Sequence, residues 1–142
     1  MNTSFISRLF TSLAGALAIV SVFLVWNDFL ELSLIKWQEI QSRFGGDLIL
    51  EPWLAVACAT ISGVIARVSA ARKLAWTSLA VSGVGLAFLV LFVIGREQQL
   101  GGIEILGPGV WVAGAALLVQ FVSSTAWAIS DPRNTADLKA GE

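Results

Sequence analysis

The sequence predicts an all-α membrane protein, a four-transmembrane-helix bundle with a short outer strand and helix in its first extracytoplasmic loop. Three observations predict this fold. Apolar residues make up 56% of the 142-residue chain and charged residues only 13%, about half the charged share of a soluble domain. Four apolar runs are long enough to cross a bilayer, which takes about 20 residues. Tryptophans and cationic residues fall at the ends of these runs.

The first predicted span covers residues 9–26, which carry no charge. A cleaved signal peptide is the alternative, with an apolar core of only about 7–15 residues and small residues after it. In this run the small residues around Gly15 lie inside the apolar stretch, and bulky Trp26 ends it. We therefore expect an uncleaved first transmembrane helix.

Residues 27–47 form the first predicted outer loop. Apolar and polar residues alternate over 30–34, which is a strand period, and residues 103–105 in the second outer loop are a candidate partner strand. Residues 37–44 then carry apolar side chains at helical spacing, so we expect a short helix that lies on the bilayer or caps the bundle. The glycine pair that begins at Gly45 is a typical helix stop.

The second predicted span covers residues 48–67. Asp47 is a plausible N-cap, whereas Pro52 is tolerated only in a first turn, so the two signals disagree on the first residue. The remaining predicted elements are, in order, a basic turn over residues 66–76, a third span over 74–95, a fourth span over 110–129, and a polar tail, 131–142, that we expect to be flexible and cytoplasmic.

Cationic residues predict the orientation of the bundle. Six of the nine Lys and Arg residues fall on one side, and three of them, Arg67, Arg72 and Lys73, lie in the basic turn. The positive-inside rule then places both termini and this turn in the cytoplasm, in a multi-pass protein of the cell's inner (plasma) membrane. These three side chains are the predicted topology charges, with anionic lipid headgroups as expected neighbours.

Five of the six tryptophans mark span ends, and indoles prefer the membrane–water interface. The predicted interface anchors are Trp26, Trp53 and Trp111 at the outer ends and Trp76 and Trp127 at the inner ends. The placement of charged and of aromatic residues therefore agrees on four spans.

Gln120 is the one strongly polar side chain predicted near mid-membrane. Because lipid offers its amide no hydrogen bond, we expect a partner on another helix, and Thr60, Ser62 and Ser82 lie at a similar depth. Gly63 belongs to a face of small residues on the second span, which lets helix backbones approach closely. These residues either pack the bundle or contact a partner subunit, a lipid or a small ligand, and the sequence leaves both interpretations open.

The composition argues against several classes of function. Histidine is absent and there is one cysteine, Cys58, which removes the usual ligands of zinc, haem and iron–sulfur clusters and the commonest general base. No predicted span carries a charge at its centre, where charges mark ion paths and proton relays. A net charge of −1 gives no basic footprint for nucleic acid. We therefore expect no enzymatic activity, no cofactor, no metal and no nucleic-acid partner.

The layout resembles that of the small, uncharacterised four-helix membrane proteins of bacteria. The features that carry the resemblance are a first span ending in Trp26, an outer loop with Trp37 and then Gly45-Gly46-Asp47, a basic inner turn, and a last span opened by Gly109-Val110-Trp111. The layout is also loosely similar to that of claudin-type proteins, although this chain lacks their paired loop cysteines. The resemblance implies a fold and no activity.

The abundance of packing features and the lack of reactive groups favour a non-enzymatic role. We expect an accessory or scaffolding subunit of a larger membrane complex, with membrane lipids and other membrane subunits or copies of itself as partners. The alternative is a small oligomeric channel or transporter for neutral or lipid-like solutes.

Overall fold

The computed structural model describes residues 3–28, 31–45, 50–69, 71–100 and 106–130, without the side chains of residues 72 and 97–100. The elements in this part of the chain are α1 (Thr3–Ser21), β1 (Val25–Asn27), β2 (Leu32–Ser33), α2 (Leu34–Arg43), α3 (Leu50–Val68), α4 (Arg72–Leu100) and α5 (Pro108–Ile129). Four helices, α1, α3, α4 and α5, are long and apolar enough to cross a membrane. The predicted set of four apolar helices, with a short strand and helix after the first, is confirmed.

The four long helices run alternately up and down, and they pack in the cyclic order α1, α3, α4, α5. Helix α5 also contacts α3 across the bundle. We call the end that carries Arg8, Arg67 and Lys73 the basic end, and the opposite end, which carries the two strands and α2, the loop end. A hydrogen bond from Arg8 Nε to the carbonyl oxygen of Ala66 joins the start of α1 to the end of α3.

Small residues build the interior of the bundle. A Cβ added at Gly15 of α1 would lie 2.9 Å from the Cα of Gly63 on α3, so the two backbones are in direct contact there. A Cβ added at Gly85 of α4 would lie 2.8 Å from Leu117 on α5 and 2.9 Å from Cys58 on α3. Small residues permit this close approach of helices.

The first helix begins and ends earlier than the predicted span, 9–26. It ends at Ser21, and the chain turns into β1 through hydrogen bonds that span three residues, such as that from Leu24 N–H to the Ser21 carbonyl oxygen. The apolar run has no charge to mark this end, but its last residues are branched and aromatic and therefore suit a strand. Trp26 thus lies in β1 instead of ending a helix.

The strand predicted over 30–34 is present only over the two residues of β2, because Leu34 begins α2. Strand β2 pairs antiparallel with β1, which precedes it directly in the chain. Residues 103–105 lie outside the described residues, and Leu106 after them forms a bridge with Asn27 of β1. Pairing of β1 with β2 is favoured because the loop between them is short, so closing it costs little conformational entropy.

Helix α2 confirms the predicted surface helix and begins one turn earlier than residues 37–44. The Ser33 side chain caps its first turn, and Gly45, at φ +71°, follows its end. Only its first half faces the bundle, because Trp37 is buried whereas Phe44 is 86% exposed. The predicted N-cap of the next helix, Asp47, lies outside the described residues.

Helix α4 extends beyond the predicted span 74–95 at both ends, so Arg96 is helical and not part of an outer loop. The predicted basic turn, 66–76, is correspondingly shorter, because Arg67 closes α3 and Arg72 opens α4. Arg and Lys are good helix formers, so a basic run does not by itself end a helix. Helix α5 begins at Pro108, before the predicted 110, with Gly107 as its N-cap. The predicted tail, 131–142, lies outside the described residues.

We expect the Gly15→Ala variant to lower the free energy of unfolding in detergent by about 1–3 kcal/mol, because the new Cβ meets the backbone of Gly63. Gly95→Ala is the matched control, since a Cβ there has nothing within 4 Å and alanine favours the helix by about 1 kcal/mol. Denaturant unfolding followed by circular dichroism measures both. Equal stability of the two variants would contradict the close contact of α1 and α3.

Candidate functional site

One face of α5 carries polar residues of the bundle interior. Gln120, Ser123, Ser124 and Trp127 recur at spacings of three and four, which places them on one side of the helix, and all four are buried. In a bilayer, neither lipid nor apolar side chains can satisfy their polar atoms, so partners must come from within the chain. The contacts of α5 with α1, α3 and α4 make such partners available.

Gln120 is fully buried, and its amide nitrogen donates two hydrogen bonds to main-chain oxygens of two other helices. Nε2 lies 2.7 Å from the carbonyl oxygen of Ala59 on α3 and 3.0 Å from that of Thr11 on α1. The amide oxygen, Oε1, has no hydrogen-bond partner within the described residues. Gln120 therefore joins α5 to α1 and α3, as an interhelical role requires.

Both acceptor carbonyls lie four residues before a glycine. Thr11 precedes Gly15 and Ala59 precedes Gly63, and a helical Cβ tilts back over the preceding turn, toward the carbonyl of residue i−4. A Cβ added at Gly15 would lie 3.2 Å from Nε2 of Gln120 and 3.1 Å from the Ala59 oxygen. The two glycines thus bring α1 and α3 together and also leave the carbonyl oxygens open to the amide.

The hydroxyls predicted as partners of Gln120 do not bond to it. Thr60 Oγ1 donates to the Val56 carbonyl oxygen and Ser82 Oγ to that of Leu79, each within its own helix. Ser62 takes part in a different interhelical contact, described next. Main-chain oxygens are the acceptors because the close helix approach brings them within hydrogen-bond distance of the amide.

Serine and threonine hydroxyls form three further contacts between helices. Ser78 of α4 lies between Ser62 of α3, at an Oγ–Oγ distance of 2.7 Å, and Ser124 of α5, at 2.9 Å. On the other side of α5, Thr11 Oγ1 lies 2.7 Å from Ser123 Oγ and so joins α1 to α5. Together with Gln120, these hydroxyls connect all four long helices. The sequence signal that we missed is the spacing of the two serines, three and four residues after Gln120.

Arg8 closes the interior at the basic end. Its Nε lies 2.9 Å from the carbonyl oxygen of Ala66, and its guanidinium group lies 5.7 Å from the ring centroid of Trp127. A cation over an indole is attracted by the negative face of the ring. The Arg8 guanidinium is therefore held against α3 and α5.

Three aromatic side chains, Trp26, Trp37 and Phe92, close the loop end, and we call them the aromatic cap. The rings of Trp26 and Trp37 each meet Phe92 edge-on at a centroid distance of 6.0 Å, a favourable geometry for aromatic pairs. The guanidinium of Arg96 covers the cap at 4.6 Å from the Trp37 centroid and 5.5 Å from that of Phe92. The sequence did not indicate this contact, because Arg96 and Trp37 are far apart in the chain.

Trp26 is the most enclosed member of the aromatic cap. Its Nε1 donates to the carbonyl oxygen of Ser21 at 2.6 Å, and a Cβ added at Gly109 would overlap its indole ring. The N–H of Gly107 also donates to the Trp26 carbonyl oxygen. Gly109 therefore provides the space in which the Trp26 indole lies, and Gly107 holds the Trp26 main chain.

Two of the five predicted interface anchors face the protein instead of the membrane interface. Trp26 and Trp127 are 0% and 3% exposed, because each indole has a partner inside the bundle. Trp76 and Trp111 are more than half exposed, as an anchor requires, and Trp53 is half-buried. The position of these three at a membrane–water interface stays a prediction.

The predicted topology charges lie together at the basic end. Arg67 is in the last turn of α3 and Arg72 and Lys73 begin α4, and the side chains of Arg67 and Lys73 are exposed. The carboxylates whose side chains are described all lie toward the loop end: Asp28, Glu31, Glu39 and Glu51. The described part of the basic end is therefore purely cationic, whereas the loop end carries both signs.

The buried groups of this bundle are suited to holding helices together. Within the described residues, no group of three or more His, Cys, Asp or Glu side chains could hold a metal ion. Comparison with protein-family models, with curated proteins and with solved structures found no match to this chain. The geometry of the chain itself is therefore the basis for a proposal about its function.

The Gln120→Leu variant should lower the free energy of unfolding in detergent by about 1–3 kcal/mol, because two interhelical hydrogen bonds are lost. Thr125→Val is the control, since the Thr125 hydroxyl bonds only to a carbonyl of its own helix. Unchanged stability of Gln120→Leu, measured by thermal or denaturant unfolding, would mean that these two hydrogen bonds add nothing to the free energy of unfolding.

Replacing Arg96 by glutamine should destabilise the loop end by about 0.5–2 kcal/mol through loss of the cation–aromatic contacts and should shift tryptophan fluorescence. Arg43→Gln is the control, because it removes the same charge from a salt bridge at the surface. The side chains of Arg43 and Glu39 in this pair are 74% and 57% exposed, so the variant should change the free energy of unfolding by less than about 1 kcal/mol. If both variants unfold alike, the Arg96 contact adds nothing to stability.

Proposed function

We propose that this protein is a non-enzymatic, multi-pass protein of the cell's inner (plasma) membrane that acts as an accessory or scaffolding subunit of a larger complex. The observation that carries the proposal is the use of its buried polar groups. The Gln120 amide and the hydroxyls of Thr11, Ser62 and Ser78 all contact neighbouring helices of the same chain. These groups hold the bundle together, so function falls to the surface that faces outward.

The outward surface is suited to contact with lipid or with another membrane protein. Large apolar side chains such as Phe10, Val64 and Leu91 are more than half exposed, which is unfavourable in water and ordinary against lipid or another membrane protein. A groove of about 500 Å³ also runs between α4 and α5, where Gly114 faces Leu89 across it. This surface offers shape and apolar area to neighbouring molecules in the membrane.

The proposed orientation, with both termini in the cytoplasm, rests on the charges at the two ends. Arg67 and Lys73 are exposed at the basic end, where they would hold that end on the cytoplasmic side. The loop end, with Asp28 and Glu31, would then face outward. Its aromatic cap makes it a rigid surface that an extracytoplasmic part of a partner can contact.

A small oligomeric channel or transporter is less favoured by the packing. The centre of the bundle is occupied by Gln120 and by the contact between Gly15 and Gly63, so a solute path would have to run between copies of the chain. Flux of neutral solutes into liposomes that contain only this protein would favour that alternative over scaffolding.

Site-specific photo-crosslinking in native membranes tests the scaffolding role. A photoreactive residue is placed on one exposed position of each long helix: Leu13, Val64, Leu91 and Val122. We expect one face to give a covalent adduct of a single defined protein mass, while the opposite face reacts with lipid alone. Purification in mild detergent should then retain the same partner or a defined homo-oligomer. Lipid adducts at all four positions, together with a monodisperse monomer, would overturn the proposal.

A further inference from the structure

A groove follows the line where α1 and α3 meet, starting at the basic end. Two cavities lie along it, one of about 60 Å³ beside Arg8 and one of about 210 Å³ that continues toward Ile19. Both are lined by Ser12 and Arg67, so they adjoin and form one continuous depression. It is open on the outer side of the bundle, because Ala16 and Val64 in its lining are exposed.

The groove exists because its floor has almost no side chains. Gly15 and Gly63 line it and are in backbone contact beneath it, while Ile19 and Val64 form apolar walls. In a bilayer the space on this side of the bundle is filled by acyl chains. The apolar lining and the open outer side of the groove therefore indicate a hydrocarbon occupant along most of it.

The mouth of the groove is cationic. Arg8 and Arg67 both line it, and the described carboxylates lie at the other end of the bundle. Arg8 is held by its Nε bond to Ala66 and by the Trp127 ring, which leaves its two terminal amino groups without a hydrogen bond to the described residues. Guanidinium groups bind phosphate through paired N–H donors, and a guanidinium already fixed in place loses less entropy on binding.

We propose that this groove binds an anionic phospholipid of the adjoining leaflet. The phosphate lies between Arg8 and Arg67, and one acyl chain lies along the glycine floor between α1 and α3. The two parts of the groove match the two parts of such a lipid, cationic at the level of the headgroup and apolar below it. This inference is independent of the scaffolding role, because it concerns a bound lipid and not a protein partner.

Native mass spectrometry of the full chain in neutral detergent, with added phosphatidylglycerol or phosphatidylcholine, tests the site. Wild-type protein should retain one phosphatidylglycerol in preference to phosphatidylcholine. Arg67→Gln should weaken that retention about fivefold, the value expected for one cation at a membrane surface. Ala16→Phe, which fills the groove from its exposed side, should weaken it as well. Arg67 is the better choice than Arg8, because Arg8 also holds the helices together.

Two control variants separate a built site from general charge or bulk. Lys73→Gln removes a cation from the same end without touching the groove, and Ala87→Phe adds the same bulk at an exposed position of α4; both should retain the lipid as the wild type does. Equal retention of the two lipids by the wild type would overturn the proposal. A loss of lipid retention in Lys73→Gln as large as that in Arg67→Gln would also overturn it. Unchanged retention in both Arg67→Gln and Ala16→Phe would do the same. Unfolding curves verify that each variant is folded.

Discussion

Burial of the Gln120 amide is the interaction on which the arrangement of the helices depends. An amide in an apolar bundle needs hydrogen-bond partners, and those it has here are carbonyl oxygens that an ordinary helix would cover with side chains. Gly15 and Gly63 uncover them, and the same absence of a Cβ lets α1 and α3 touch. Once this contact is made, the register of three helices is fixed, and the hydroxyl pairs of Thr11 and Ser78 meet their partners.

The sequence predicts the number of long helices well, because each of them coincides with a long run of apolar residues that carries little charge. It predicts their ends less well. The end of α1 falls in an uncharged run. Its tryptophan, Trp26, suggests a membrane–water interface, but the indole is buried and donates a hydrogen bond to the Ser21 carbonyl oxygen. The start of α4 falls in a basic run that is itself helical. Helix ends depend on tertiary contacts that local composition does not express.

The candidate site was predictable in part. Gln120 stands out in an apolar run, and Gly63 belongs to a visible stripe of small residues, so their importance for packing follows from the sequence. The hydrogen-bond partners of Gln120 do not follow from the sequence, because every residue has a main-chain oxygen. Only the glycines four residues later indicate which of these oxygens are accessible to the amide. The contact of Arg96 with Trp37 is equally hidden, since it joins two elements whose relative position the fold alone decides.

The place of Trp26 has a consequence for how the protein is made. This side chain follows the first long helix, but the space that receives its indole is provided by Gly109, in the first turn of the last one. At roughly 5–20 residues per second of synthesis, the ribosome needs several seconds to pass from one to the other. During that interval the Trp26 indole lacks the residues that enclose it in the folded chain. A chain that stops before the last helix would lack both the Gly109 contact and the Gly107 hydrogen bond that hold Trp26.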